Sequence, residues 1–287
     1  GRLAFSGGSE VTFRSLGFLH ANGYEAKDSA LHFDACRFDQ ANQVALAIGG
    51  TSYDFHACSF VDGTGLLFSD IEGSLSFSGC EFLNNTGGVA TSWGMTFDHC
   101  LFRGNHAGDG TAVIDCYYLF YPQQTTIHSC TFVENQSPPI AAYDDYLDVD
   151  HCVFARNPAP AVSWTIAFDS SISLHVGSST FVDQVGGPAL RVRRAWDLLT
   201  LSATIEHCIV AHTDGGAALE CVDLAPDNRP TLSCSDLFGN SGGDYVGCFD
   251  GLEEADGNLS LDPRFCARAD GNYALRDDSP CADAPGC

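Results

Sequence analysis

The sequence predicts an all-β chain that folds as a parallel β-solenoid of about ten coils. A short block of alternating apolar residues followed by Cys recurs along the 287 residues. Turn-forming residues follow each block, and the segments between blocks lack the apolar spacing of an amphipathic helix. Parallel strands without helical crossovers cannot form βαβ units, so stacked coils are the structure that this pattern favours.

The repeated block has the form apolar-x-apolar-x-x-Cys-x-Phe, and its copies define the predicted coils. The closer copies are Leu31–Phe38, Tyr53–Phe60, Leu75–Phe82, Met95–Phe102, Thr125–Phe132 and Leu147–Phe154. The looser copies are Val11–Phe18, Leu174–Phe181, Ala203–Val210 and Pro230–Leu237. The steps from Phe13 through Phe33, Phe55, Phe77 and Phe97 to Ile127 are 20, 22, 22, 20 and 30 residues. Because apolar residues alternate within a block, each block is predicted to be a short strand.

A turn and a second apolar run complete each predicted coil. The turns are rich in Asn, Gly and Asp. The second runs are Val44–Ile48, Leu66–Phe68, Ala112–Ile114, Ala161–Val162, Ala189–Leu190 and Ala217–Leu219. Neighbouring strands are about 4.8 Å apart, so ten stacked coils would form a rod about 50 Å long.

Residues at equivalent positions of the blocks are predicted to stack in interior columns. One Phe column contains Phe33, Phe55, Phe77 and Phe97, and a second contains Phe38, Phe60, Phe82, Phe102, Phe132, Phe154 and Phe181. A Cys column contains Cys36, Cys58, Cys80, Cys100, Cys130, Cys152 and Cys208. Cysteines stacked in register do not present a tetrahedral ligand set, whereas a small residue fits a tight position beside a turn. We therefore expect these seven cysteines to be buried and reduced.

The remaining cysteines are concentrated near the end of the chain. Cys116 is left over and is predicted to be free. The other six are Cys221, Cys234, Cys248, Cys266, Cys281 and Cys287. A loop-rich segment with six cysteines and no CxxC pair favours three disulfides over a zinc site, and disulfides indicate an oxidising, extracellular setting. We assign residues 1–230 to the coils and residues 231–287 to disulfide-rich C-terminal coils and a closing segment of the same domain.

The turns and second runs carry a resemblance to a known family. FxxN turns occur at Phe82–Asn85, Phe102–Asn105, Phe132–Asn135 and Phe154–Asn157, and GGA-like runs occur at Gly87–Ala90, Gly187–Leu190 and Gly215–Leu219. This pairing resembles the polymorphic outer-membrane protein repeats of surface adhesins. More broadly, the chain is similar to bacterial right-handed parallel β-helix repeat proteins of the pectate-lyase-like superfamily. The resemblance implies a right-handed coil and a secreted or cell-surface location, but it does not imply an activity.

The charge of the chain excludes several classes of partner. Lys and Arg total 13 against 37 Asp and Glu, which gives a formal net charge of -24. Nucleic-acid binding and polybasic membrane attachment both require clustered basic residues, and no apolar run is long enough to insert into a membrane. The acidic excess is typical of solubility through self-repulsion, and it also suits a salt-rich habitat or bound divalent cations. The Asp-rich segments 235–247 and 261–272 have two interpretations: ordinary turn residues, which is the favoured one, or ligands of Ca²⁺ or another divalent cation.

Strand alternation predicts which polar residues lie on the outer face of the block strands. His32 is expected beside Asp54, and Asp34 beside His56, so these four residues form a predicted site for a divalent metal. Farther along the chain, Asp98, His128 and Asp150 are expected in one column, with Asp148 beside His175. The alternative is a solvated face on which Asp and His balance each other's charge.

These outward residues also define an enzymatic alternative. A polysaccharide lyase or glycoside hydrolase would use a catalytic set drawn from Asp34, Asp54, Asp148, Asp150 and His128. The basic residues that would bind a uronate are scarce, however, and the one cluster, Arg191–Arg194, lies on a different strand run. No long loops are expected to wall a cleft. The sequence therefore favours a secreted or cell-surface structural or adhesive module with no catalytic residues and no required cofactor.

The first predicted coil has no cap. The opening residues GRLAFSGG resemble neither a signal peptide nor an amphipathic capping segment. An uncapped solenoid exposes strand edges, here those of Leu3–Phe5 and Val11–Phe13. We expect a second copy of the chain or a lost upstream segment to cover this edge. Surface glycans and other extracellular proteins are the remaining expected partners.

Overall fold

Each coil contributes one strand to each of three parallel sheets in the computed structural model. The structure describes residues 3–48, 51–69, 73–91, 94–108, 112–117, 123–167, 172–195, 202–224 and 229–282. Within these residues each of the three sheets has ten strands, and successive coils pair in parallel. The predicted parallel solenoid of about ten coils is therefore confirmed.

The thirty coil strands fall into three sets. The first sheet contains β1 (Leu3–Ser6), β4 (Asn22–Lys27), β7 (Gln43–Ile48), β10 (Phe68–Ser69), β13 (Ala90–Thr91), β16 (Ile114–Tyr117), β19 (Ile140–Tyr143), β22 (Val162–Ile166), β25 (Leu190–Arg194) and β28 (Leu219–Val222). The second sheet contains β2 (Glu10–Arg14), β5 (Ala30–Asp34), β8 (Thr51–His56), β11 (Gly73–Ser78), β14 (Met95–Asp98), β17 (Gln124–His128), β20 (Tyr146–Asp150), β23 (Leu174–Gly177), β26 (Ala203–Glu206) and β29 (Thr231–Ser233). The third sheet contains β3 (Gly17–Leu19), β6 (Arg37–Asp39), β9 (Ser59–Val61), β12 (Glu81–Leu83), β15 (Leu101–Arg103), β18 (Thr131–Val133), β21 (Val153–Ala155), β24 (Thr180–Val182), β27 (Ile209–Ala211) and β30 (Asp236–Phe238).

The two predicted Phe columns form continuous stacks inside the helix. In the second sheet, ring centroids from Phe13 to Phe97 are 4.7–5.1 Å apart. In the third sheet, the stack from Phe18 to Phe181 has centroids 4.4–4.9 Å apart. The two stacks meet edge to face, as at Phe55, whose ring plane is 72° from that of its neighbour in the other stack. Aromatic pairs in these geometries are favourable beyond the area that they bury.

A two-residue corner separates the strand of the second sheet from the strand of the third sheet in each coil. The first residue of this corner has a left-handed backbone, as in Ala57 (φ 50°) and His99 (φ 52°). The backbone N–H of Ala57 donates to the carbonyl of Ser78 on the next coil, at 2.8 Å. The hydrogen bonds between coils therefore continue through the corners.

The cysteines of the Cys column occupy the second residue of this corner, where their sulfur atoms form weak hydrogen bonds between neighbouring coils. The backbone N–H of Cys58 lies 3.4 Å from the sulfur of Cys80, and that sulfur donates to the carbonyl of Phe55 at 3.4 Å. Ser179 and Ser235 occupy the same column and accept from the backbone N–H groups of the cysteines one coil before them, at 3.0 and 3.1 Å. A small side chain that accepts and donates satisfies a buried N–H group, and either Cys or Ser fits this requirement.

All seven column cysteines are buried and free, as predicted. Burial raises the pKa of the Cys208 thiol to about 12. Cys116, on the first sheet, is also buried and free, and burial raises its pKa strongly.

A ladder of buried Asn side chains lies in the turn that follows the third-sheet strand of four successive coils. Its members come from the FxxN turns: Asn85, Asn105, Asn135 and Asn157. The Oδ1 atom of Asn105 accepts from both the backbone N–H (3.0 Å) and the side-chain amide (2.9 Å) of Asn85. The Asn105 amide in turn donates to the Phe82 carbonyl at 2.9 Å and to Asn135 Oδ1 at 3.0 Å. Each Asn thus satisfies the turn of the coil before it, which explains the spacing of the FxxN motif.

A disulfide links the tenth strand of the first sheet to the segment that follows the last coil. It joins Cys221, on β28, to Cys248, in a short 3₁₀ helix at Gly247–Phe249. Cys234 is also disulfide-bonded. Cys287 lies outside the described residues.

The prediction of three disulfides among the six C-terminal cysteines is wrong for two of them, because Cys266 and Cys281 are free. The Cys281 sulfur is engaged elsewhere, 3.2 Å from Asp236 Oδ2. Cys266 is exposed, and its sulfur points to the carbonyl of Leu275, at 3.6 Å.

The chain after the tenth coil folds back along the side of the helix. The antiparallel strands β31 (Phe265–Ala267) and β32 (Asn272–Leu275) are connected through a 3₁₀ helix at Arg268–Asp270. Phe265 and Tyr273 pack against an apolar patch on the third sheet that consists of Val133, Ala155 and Val182. The division at residue 230 stays a prediction; β29 and β30, which follow it, are the tenth strands of their sheets.

The first coil is more exposed than the coils that follow it. Phe13 and Phe18 are half-buried, and Leu19 is 67% exposed. Self-association through this coil stays a prediction. In the part of the chain that the structure describes, no helix has the length and apolar character needed to cross a membrane.

Replacing one member of the Asn ladder should destabilise the protein strongly. Asn105→Ala removes the acceptor of the Asn85 N–H and the donor to the Phe82 carbonyl, and each buried unsatisfied group costs about 1–3 kcal/mol. We expect urea denaturation to show a loss of about 2–4 kcal/mol in the free energy of unfolding. The exposed Asn42→Ala is the matched control, with an expected change within about 0.5 kcal/mol. Equal effects of the two variants would contradict a role for the ladder.

Thiol reactivity should separate the buried cysteines from the two in the tail. Because burial prevents attack by a reagent, the exposed Cys266 should be labelled readily in native protein, and Cys281, whose pKa is raised to about 12 by burial, should react more slowly. In denaturant, the eight buried free cysteines should also react. Alkylation mapped by mass spectrometry measures this, and rapid labelling of Cys100 or Cys130 in native protein would refute the buried column.

Candidate functional site

The outer face of the second sheet carries the predicted polar columns. The first column contains Thr12, His32, Asp54, Ser76, Thr96, Thr126, Asp148, His175, Thr204 and Thr231. The second column contains Arg14, Asp34, His56, Ser78, Asp98, His128, Asp150, Gly177, Glu206 and Ser233. The register predicted for both outward columns is therefore the observed one.

The four residues predicted to bind a metal near the N-terminal end are divided among separate partners. His32 Nδ1 lies 3.0 Å from Asp54 Oδ2. Asp34 pairs with Arg14 at 3.7 Å, and His56 Nδ1 lies 2.9 Å from Ser78 Oγ. Metal binding by His32, Asp34, Asp54 and His56 stays a prediction.

A denser group of imidazoles and carboxylates lies at the middle of the same face. We call Asp98, His99, His128, Asp150 and His151 the histidine cluster. Asp98 Oδ1 is 2.8 Å from His99 Nδ1 and 3.0 Å from His128 Nδ1, and Asp150 Oδ2 is 2.7 Å from His151 Nδ1. Two sets of three possible ligands lie within 4.8 Å of one another in the described residues: Asp98 with His99 and His128, and His128 with Asp150 and His151.

The alternation rule missed two members of this cluster. His99 and His151 are not strand residues; they occupy left-handed corners, with φ 52° and 54°. Their side chains therefore reach the carboxylates at the strand ends. The sequence does carry a signal for them, since Asp-His-Cys occurs at 98–100 and 150–152, and Glu-His-Cys at 206–208.

The neighbouring histidines lower the pKa values of the Asp98 and Asp150 carboxyl groups. The hydrogen bond from His128 lowers the pKa of Asp98, and His99 acts in the same direction. At Asp150 partial burial acts to raise the pKa, but the hydrogen bond and charge of His151 lower it overall. Both carboxylates therefore stay ionised down to low pH.

His175 sits between two carboxylates one coil away on either side. Its Nδ1 is 2.8 Å from Asp148 Oδ1, and its Nε2 is 3.3 Å from Glu206 Oε1. Partial burial acts to lower the pKa of His175, but these two partners raise it overall. A cavity of about 350 Å³ borders this pair and is lined by Gln124, Tyr146, Leu147 and Ser173 as well.

One buried carboxylate that the sequence did not single out has a raised pKa. Burial raises the pKa of Asp145 to about 6, against hydrogen bonds from its neighbours. Its two oxygens accept from the Gln123 N–H at 2.7 Å and the Thr125 hydroxyl at 3.2 Å. These bonds fix the corner between the first and second sheets, so Asp145 has a structural role.

The Asp residues that are candidate Ca²⁺ ligands are largely engaged in turns. The carboxylate of Asp244 accepts from the backbone N–H groups of Gly239 (3.1 Å) and Asn240 (2.9 Å). Asp236 accepts from the Leu261 N–H at 2.9 Å, and Asp262 from the Arg264 N–H at 2.9 Å. Calcium binding at these segments stays a prediction.

Comparison with known proteins agrees with this architecture. Residues 4–138 match the family model described as "Right handed beta helix region". The chain is thus a right-handed parallel β-helix, as the repeats and their resemblance predicted. No curated protein matches the sequence.

The solved structures to which the chain is similar are distant. QnrB1, a plasmid-mediated fluoroquinolone resistance protein, is 10% identical with a TM-score of 0.26, and the match covers 78% of this chain and 94% of QnrB1. A double mutant of the periplasmic alginate epimerase AlgG is 8% identical with a TM-score of 0.23, covering 78% of this chain and 77% of AlgG.

The pKa of His175 should depend on its two carboxylate partners, Asp148 and Glu206. A histidine whose pKa is raised on folding stabilises the protein below its unfolded pKa of about 6.5, and this stability is lost as pH rises through the raised value. We expect a midpoint above about 6.5 for the His175 ring by NMR. Asp148→Asn should lower that midpoint because it removes the closer carboxylate, whereas the distant Asp34→Asn should leave it unchanged. A midpoint that is insensitive to Asp148→Asn would contradict the pairing.

Proposed function

We propose that this chain is a secreted or cell-surface β-helix that acts as a structural or adhesive module without catalysis. The observation that carries the proposal is the pairing of the outward carboxylates with cationic or imidazole partners. Asp34 pairs with Arg14, Asp54 with His32, Asp148 with His175, and Asp150 with His151. The carboxylates on this polar face thus have cationic or imidazole partners along its length. Such a face suits a rigid surface that contacts solvent or an extended partner.

The pKa values of two outward carboxylates, Asp98 and Asp150, also favour a non-catalytic role. Glycoside hydrolysis needs one carboxyl group that stays protonated to act as the general acid, and its pKa must be raised for this purpose. The pKa values of Asp98 and Asp150 are instead lowered by histidines. Neither carboxylate is thus suited to donate a proton near neutral pH.

The basic residues that would neutralise a uronate are themselves paired. Arg191 lies 2.5 Å from Glu220, and Arg193 lies 3.5 Å from Asp223. With a formal net charge of -24, the chain also repels acidic polymers. Neutral glycans and proteins are therefore the partners that the proposal favours.

The extracellular location is supported by the disulfide between Cys221 and Cys248, since disulfides persist in oxidising compartments. The eight buried free cysteines do not argue against this setting, because burial in the helix protects them from oxidation.

The second candidate is a carbohydrate-active enzyme that acts beside Asp148 and His175. The cavity of about 350 Å³ at this pair is the observation that favours it, because Tyr146 and Gln124 line the same cavity and could contact a sugar. In this alternative His175, with its raised pKa, would be the proton donor.

A combined turnover and binding experiment separates the two candidates. Purified chain is incubated with neutral and acidic polysaccharides, and both reducing ends and unsaturated uronates are measured. The same protein is applied to an array of immobilised glycans and to extracellular-matrix proteins. We expect no turnover above the blank and saturable binding to a neutral glycan or a protein. Turnover that is abolished by Asp148→Ala, but not by the control Asp39→Ala on the third sheet, would overturn the non-catalytic proposal.

A further inference from the structure

The histidine cluster brings five metal-binding side chains from three consecutive coils to one place. Asp98 and Asp150 end their strands, His128 lies between them in the same column, and His99 and His151 follow at the corners. The ring centroids of His99 and His128 are 6.0 Å apart, and those of His128 and His151 are 5.4 Å apart. The stacking of the coils therefore positions all five without contributions from long loops.

The spacing of the donor atoms fits a transition-metal ion. With metal–ligand bonds of about 2.1 Å, neighbouring ligand atoms lie about 3.0–3.4 Å apart. Asp98 Oδ1 already lies 2.8 Å and 3.0 Å from the Nδ1 atoms of His99 and His128. The Asp150–His151 contact is 2.7 Å. Metal binding at either set would need only small side-chain movements and the loss of the imidazole proton at the ligating nitrogen.

The surroundings leave the cluster open to an ion. The side chains of its five members are 29–67% exposed. The next residue of the outward column is Gly177, where a Cβ atom would lie 2.9 Å from Asp150 Oδ1 and 2.8 Å from the His175 ring. A glycine at this position therefore leaves room for the Asp150 carboxylate and the His175 ring.

We infer that the histidine cluster binds one first-row transition-metal ion, with Zn²⁺ as the best fit, through His128 and one of the two Asp-His corners. Imidazole nitrogens prefer Zn²⁺, Cu²⁺ and Ni²⁺ over the oxygen-seeking Ca²⁺ and Mg²⁺. Because the two sets share His128, they compete for the same imidazole and bind a single ion. The remaining coordination positions face solvent and hold water. This site does not depend on the proposed adhesive role.

Zinc titration of the purified chain tests this inference. Isothermal titration calorimetry with ZnCl₂ should give one site per chain, and Ca²⁺ at the same concentrations should give no comparable heat. His128→Ala should weaken zinc binding at least tenfold, because both sets lose a ligand. His207→Ala is the matched control: His207 is an exposed histidine at an equivalent left-handed corner, and it belongs to neither set of ligands. This control should bind zinc like the unmodified chain.

Further variants identify which residues of the histidine cluster hold the ion. Weakened binding in His99→Ala or in His151→Ala identifies which corner holds the metal, and either result supports the site. Co²⁺ in place of Zn²⁺ should give visible absorption bands that are lost in His128→Ala. All of these side chains are exposed, so circular dichroism should show an unchanged fold. Absence of zinc binding at millimolar concentration, or equal binding by His128→Ala and the unmodified chain, would overturn the inference. Loss of binding in His207→Ala alone would also overturn it.

Discussion

The in-register hydrogen bonding of each coil to the next is the constraint on which the rest of this structure depends. It sets every residue directly against its equivalent on the neighbouring coil, as in the pairing of Phe33 with Phe55. The same spacing of about 4.8 Å suits stacked rings, shared Asn amides and the contact of a thiol with the backbone of the coil before it. Stability therefore comes from repeating one set of contacts rather than from a single globular core.

The same register explains the polar face outside. Since inward and outward residues alternate, the strands that stack Phe inside also align Asp and His outside. Neighbouring carboxylates at such a distance would repel each other, and the imidazoles between them relieve that repulsion, as His128 does between Asp98 and Asp150. On this face the imidazoles thus reduce the repulsion between carboxylates, and the same arrangement brings metal-binding side chains together.

Much of the fold could be predicted from the sequence, because one repeat determines where the strands lie, how they pair and which side chains point inward. The Cys and Phe columns and the outward pairing of His32 with Asp54 follow from that repeat alone. His99 and His151 could not be found by alternation, because left-handed corners lie outside the strand pattern. The path of the C-terminal tail could not be predicted from the repeat either, because it depends on the apolar patch around Ala155 on the third sheet. The free state of Cys281 was also missed, since its sulfur contacts Asp236 instead of another cysteine.

The register of the coils is tested most directly by electron paramagnetic resonance. Spin labels are attached at Asp54→Cys and Ser76→Cys, in a background where Cys266 and Cys281 are serine. These outward positions are partners on adjacent coils, so the labelled sites lie about 4.8 Å apart. The account predicts strong dipolar broadening for this pair, and none when Asp54→Cys is combined with Thr204→Cys, six coils further on. Narrow spectra from the adjacent pair would contradict in-register stacking.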